Sequence, residues 1–155
     1  MVLDYPEDKR AAVIDDQYLF GESMMVCPLT LEDGTCRKVW LPEGRWHDFF
    51  TGEIFAGGKE YQISAKLEEI PVFVKDGALI PLAEPVEYVK SDTIFRITVK
   101  SFGEGERCFV LYEDDFESLD VENGACNQVL IMRNKEGSIS LERQGTYPAK
   151  YELGV

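Results

Sequence analysis

Few side chains in this sequence carry a chemistry of their own. One histidine, His47, stands between Trp46 and Asp48. Four cysteines stand at Cys27, Cys36, Cys108 and Cys126. Six carboxylates (Glu113, Asp114, Asp115, Glu117, Asp120 and Glu122) fall within ten residues. Structural zinc takes four ligands, most often in short CxxC-like pairs, so this set assigns no metal ligand. The wide cysteine spacing suits small hydrophobes in strands better than two disulfides, and free, mostly buried thiols are expected. That slightly favours a reducing cytoplasm. Calcium wants several converging oxygens, but the acidic run lacks the EF-hand spacing and its glycine. It reads as a solvated loop whose charge keeps it off other sheet edges. His47 reads as a partly exposed strand residue.

Trp40, Trp46, Phe49 and Phe50 are flat rings that stack on sugar faces when exposed. In a strand, Trp46 and Phe50 share a face with Asp48, while His47 and Phe49 share the other. One set must then be core, and packing is the favoured role. Trp46 and Phe49 are the pair through which a weak carbohydrate contact would run.

The elements that position these groups follow from composition and punctuation. The chain has 155 residues, 16 basic against 29 acidic side chains and a net charge of −13. A strongly acidic surface repels phosphates, so nucleic acid is excluded as a partner. No apolar run approaches the roughly 20 residues of a spanning helix, so no membrane is expected. Hydrophobic residues make up 45%, ordinary globular usage.

Ala11, Ala12, Ile14, Tyr18 and Leu19 fall near helical spacing, with Asp8 as cap and Gly21 as stop, which predicts a short helix within 8–20. A short apolar strand follows at 23–27. Beyond residue 30 the period changes. Strands are expected at 36–41, 45–50, 59–64, 71–74 and 78–80, the last two flanking an Asp76-Gly77 hairpin signal. Further strands are expected at 93–100, 107–112, 127–133, 138–142 and near 147–153. The fold class is mostly β: two small antiparallel sandwich-like or barrel-like domains preceded by a short helix. The first core is expected to hold Val39, Leu41, Trp46, Phe50, Val72, Val74, Leu79 and Ile80. The second is expected to hold Phe95, Ile97, Val99, Phe109, Leu111, Leu130 and Ile139.

Several motifs then occur in a telling order: Asp16-Gln17-Tyr18-Leu19-Phe20-Gly21, Met24-Met25-Val26-Cys27-Pro28, the run from Val39 to Gly52, the run from Ile70 to Pro81, and Leu111-Tyr112-Glu113-Asp114-Asp115. This order resembles the end of the catalytic barrel and the C-terminal β domains of glycoside hydrolase family 31, the α-glucosidase and α-xylosidase family. The resemblance implies a barrel tail at 1–28, a proximal β domain at 29–85 and a distal β domain at 86–155. It implies retaining chemistry in the parent enzyme, with two carboxyls about 5–5.5 Å apart on barrel strands. Those strands are expected to lie outside this chain, so no residue here is assigned a catalytic role and no cofactor is called for. The expected role is support of the barrel, with Tyr18, Leu19 and Met24 packing against it. Self-association through the N-terminal segment is the alternative fate of those apolar side chains. A stand-alone carbohydrate-binding β module is the rival reading.

Overall fold

Short runs of β-branched and aromatic residues between glycine and proline turns dominate the chain. In the computed structural model they form thirteen strands and two 3-10 turns among the described residues. The structure describes residues 1–30, 35–66, 68–90, 92–115 and 119–154. It divides into two compact units, Met1–Ala78 and Leu79–Val155.

The first unit holds β1 (Tyr18–Phe20), β2 (Met24–Val26), β3 (Cys36–Leu41), β4 (Arg45–Asp48), β5 (Ile54–Ala56), β6 (Lys59–Ser64) and β7 (Val72–Lys75). One antiparallel sheet runs β1-β2-β7-β4-β5, and β3 and β6 form a second. Met25, Trp46 and Phe73 from the larger sheet meet Val39 and Leu41 from the smaller, with Cys27 beside them. This is a sandwich core. Phe55 closes it edge-on against Phe73 at 5.3 Å and Tyr61 at 5.0 Å. The turn between β5 and β6 is welded to β3 and β4: Gly57 N–H donates to Gly44 O at 2.7 Å, and Gly58 N–H to Leu41 O at 2.8 Å. A β-carbon on Gly57 would overlap the Pro42 carbonyl oxygen, so only glycine fits there.

Three expectations need correction in this unit. The helix expected within 8–20 is one 3-10 turn, Ala11–Val13. Asp8 does receive the N–H groups of Arg10 and Ala11. The chain then leaves the helical path because the Gln17 amide pairs with the β3 backbone, accepting from Trp40 N–H at 3.0 Å and donating to Trp40 O at 2.7 Å. Tyr18 and Leu19 consequently form a strand, and Gly21 turns a β1–β2 hairpin instead of stopping a helix. Secondly, Asp76-Gly77 closes no hairpin: β7 pairs with β2 and β4, whereas the strand that follows joins a sheet of the second unit. Asp76 is held instead by β4, its N–H on Arg45 O and its carboxylate on Arg45 and His47. Thirdly, Phe50 is 65% exposed. Asp48 Oδ1 accepts the N–H groups of Phe50 and Thr51, which ends β4 and takes Phe50 out of the strand alternation.

The second unit holds β8 (Leu79–Ala83), β9 (Phe95–Ser101), β10 (Arg107–Glu113), β11 (Asn127–Arg133), β12 (Ile139–Gln144) and β13 (Tyr151–Leu153). Its sheets run β10-β11-β12 and β13-β9-β8, with β13 parallel to β9. Leu79, Ile97 and Ile131 form the centre of its core. Leu79 thus belongs to this core and not to the first, and Ile80 falls in the same unit. The inward residues of β11 are Asn127, Val129, Ile131 and Arg133, so Leu130 lies on the other face, and Phe109 is partly exposed. Phe102 supplies buried area that the expected list omitted.

Both ends of that inward stripe are polar and must find partners. Arg133 donates to the carbonyls of Phe102, Gly103, Glu104 and Gly105 and to the Ser101 hydroxyl, wrapping the β9–β10 loop around a guanidinium. At the other end Glu113 is fully buried. Its carboxylate accepts from Arg143 Nε at 2.7 Å and Nη2 at 3.1 Å, and from Asn127 Nδ2 at 2.7 Å. Backbone N–H groups of Lys150 and Tyr151 add two more bonds, each 2.9 Å. Burial alone would raise its pKa, but these five donors outweigh it and bring the carboxyl from an ordinary 4.5 to about 2.

These interiors lead to three stability predictions. Trp46 is 1% exposed. Trp46→Ala should therefore cost about 3–5 kcal/mol in urea unfolding, a loss of contacts together with a cavity. Glu113→Ala strands the Arg143 guanidinium and should cost a comparable amount, about 3–5 kcal/mol. Because the folded pKa is depressed, the ionised carboxylate stabilises the fold fully above the unfolded value of 4.5, and this contribution fades as pH falls towards about 2. The gap in melting temperature between the wild type and Glu113→Gln should accordingly narrow across that interval.

Candidate functional site

The strand β4 sets the surroundings of the aromatic cluster. Trp46 points inward, its indole N–H donating to Pro42 O at 2.9 Å, and leaves no ring face open in this chain. Phe49 is half-buried and meets Phe50 edge-on at 5.1 Å. Phe50, expected in the core, is the open ring of this turn. It lines a cavity of about 430 Å³ with Thr51, Ile63, Ile70 and Pro71.

His47 was expected to be partly exposed, but it is buried, with Nε2 2.6 Å from Asp76 Oδ1. Arg45 donates to the other Asp76 oxygen at 2.7 Å. That bond, against some burial and with help from His47, keeps the Asp76 carboxyl below its ordinary range. The arrangement is an ion-paired anchor for the turn after β7. Trp40 sits in a groove of about 580 Å³ lined by Tyr5, Glu7, Asp8 and Glu43. Its indole N–H donates to Asp8 Oδ2 at 2.7 Å, and the Arg10 guanidinium lies 5.1 Å above its ring. Burial works against the Asp8 charge, but the Trp40 bond and two backbone N–H groups still hold its carboxyl below the usual range.

Retaining glycoside hydrolysis needs one carboxyl that keeps a proton near neutral pH and another that stays ionised. Asp8, Asp76 and Glu113 are all shifted towards ionisation, the reverse of what a proton donor requires. The acidic run is also less uniform than its sequence suggests. Glu113 is structural, Asp115, Asp120 and Glu122 are exposed, and Glu117 lies outside the described residues. Among the described residues no three His, Cys, Asp or Glu side chains are grouped to hold a metal ion. The four thiols are unpaired, but only Cys27 is buried, and burial pushes it up to about 12; Cys108 is exposed.

Of the residues expected to meet a barrel, Tyr18 is half exposed, Leu19 packs on the first core and Met24 is half-buried. Tyr18 and Met24 are on the opposite sheet face from Leu19. Phe20, adjacent to them and 66% exposed, was missed. The pleat of β1 would have revealed it, had the segment been read with a period of two.

Comparison with known proteins places this fold. The family model described as glycosyl hydrolase family 31 C-terminal domain matches residues 1–80. Alpha-glucosidase 2 of Bacillus thermoamyloliquefaciens is 29% identical over 99% of this chain and 20% of its own length. An alpha-xylosidase of Saccharolobus solfataricus is 31% identical over 80% of this chain and 17% of its own. Among solved structures, a family 31 alpha-xylosidase from Xanthomonas citri superposes over 96% of this chain and 16% of its own, with TM-score 0.83 and 34% identity. A Flavobacterium johnsoniae family 31 dextranase superposes over 96% of this chain and 19% of its own, with TM-score 0.84 and 30% identity. The chain spans a fifth or less of the length of these relatives. The family model covers more than half of the sequence, and the chain belongs to the glycosyl hydrolase family 31 C-terminal domain family.

Proposed function

We propose that this chain is the non-catalytic C-terminal β region of a retaining α-glycosidase acting on α-glucosidic or α-xylosidic bonds, and that it supports the catalytic barrel of that enzyme. One observation carries the reading: three of these relatives align along 96–99% of the chain, yet along only 16–20% of themselves. On this reading residues 1–28 are the tail of the catalytic barrel, 29–85 the proximal β domain and 86–155 the distal one. The side-chain chemistry agrees, because the carboxylates held by strong donors are fixed in the ionised state and serve as anchors. Trp46, one of the two rings proposed for sugar contact, is a core residue, which weighs against a binding module that works through it.

The purified chain should show no turnover of aryl α-glucosides or aryl α-xylosides, since a nucleophile and a positioned proton donor are both needed. Sustained hydrolysis that disappears on replacing a single Asp or Glu of this chain with its amide would overturn the proposal.

A further inference from the structure

The turn that ends β4 is firmly held, yet it keeps an aromatic ring in solvent. Residues 49–52 each have their backbone N–H bonded. Phe49 donates to Val72 O at 2.9 Å, and Gly52 to Asp48 O at 2.9 Å. Phe50 and Thr51 donate to Asp48 Oδ1 at 2.9 and 2.7 Å. Phe50 is nevertheless 65% exposed, and Ile70, 50% exposed, lines the same cavity of about 430 Å³. Open apolar side chains that share one concavity, with Ile63 and Pro71 in its wall, mark a ligand surface where a lone exposed ring would not.

The polar lining selects the ligand. Asp48, Glu68 and Glu69 supply carboxylates, and among the described residues no Lys, Arg or His side chain lines the cavity. Ionised carboxylates only accept hydrogen bonds, so this wall repels anions and suits hydroxyl donors. Nor does it suit a metal ion, since among the described residues no three such groups are clustered to hold one. Part of the charge is already answered. Asp48 Oδ1 takes the Thr51 hydroxyl at 3.0 Å besides its two N–H groups, and Glu69 pairs with Lys66 at 3.3 Å. What the cavity offers is acceptor lone pairs beside an aromatic face. A pyranose presents the matching pair: weakly positive C–H bonds that stack on the negative face of a ring, and hydroxyls around its rim.

We infer that this cavity, with Phe50 as its stacking ring and Asp48 and Glu68 as hydroxyl acceptors, is a saccharide-binding site for an α-glucan chain. The choice of an α-glucan rests on the function proposed above. Because the turn is already ordered, binding there has no loop to immobilise. The site uses neither ring that the sequence offered for sugar contact, since Trp46 is in the core and Phe49 is half-buried.

Affinity electrophoresis tests this on the whole polypeptide encoded by the reading frame that contains this chain, in native gels cast with soluble starch, dextran or hydroxyethylcellulose. Starch or dextran should retard the wild type and Phe50→Tyr. Phe50→Leu and Phe50→Ser remove the ring, and their affinity, read from mobility, should fall about two- to ten-fold. All these proteins should share one unfolding midpoint, because an exposed position tolerates the changes. Equal mobility of the wild type and both ring-free variants in starch and dextran overturns the inference and leaves the proposed support of the barrel untouched. Ring-dependent retardation by hydroxyethylcellulose alone assigns the cavity to a β-glucan and also overturns it.

Discussion

A carboxylate taken out of water must recover from the protein the hydrogen bonds that water supplied, and Glu113 does so from three strands and a loop at once. Its donors come from β11 through Asn127, from β12 through Arg143, and from the backbone entering β13 at Lys150 and Tyr151. Each donor is held in turn. Asn127 also exchanges bonds with the backbone of Tyr147, and Arg143 donates to Tyr151 O. The network therefore fixes the register of β10 against β11. Sliding β11 by one residue would set Gln128 beside the carboxylate and turn Val129 and Ile131 away from the core. Gly145 belongs to the same construction, since a β-carbon there would collide with the Asn127 side chain.

Much of this architecture was legible because alternation and turn chemistry agree over most of the chain. The strands Cys36–Leu41, Lys59–Ser64 and Asn127–Arg133 coincide with their sequence runs, with Pro42, Gly58 and Asn134 punctuating one end of each. The failures share a cause. Ala11 to Leu19 has a weak helical period, but the Gln17 amide finds backbone partners on β3, some twenty residues away in sequence, and no local pattern reports that. Asp76-Gly77 has the ideal composition for a hairpin, yet Arg45 and His47 claim the aspartate, and the next strand belongs elsewhere.

The candidate site was legible in a different way. Ordered motifs carried the family, while the behaviour of individual side chains did not follow from them. Glu113 looked like one carboxylate of a solvated run, and only the spatial convergence of Arg143 and Asn127 makes it a core residue. Tyr18 was singled out for an apolar character that the structure shows to be exposed, whereas Leu19 beside it points into the core. Phe50 failed as a core residue because Asp48 ends the strand two positions earlier. Side-chain alternation predicts a facing only as far as the strand extends.

The parallel pairing of β13 with β9 also bears on how the polypeptide is made. Translation is vectorial, and residues 151–153 leave the ribosome well after Phe95–Ile97, the stretch they must lie against. Until those residues are available, β9 has no partner on that edge and the Glu113 carboxylate has no Lys150 or Tyr151 donor. The native pairing of the second unit is thus complete only with a strand of three residues, the last of its sheet to be synthesised.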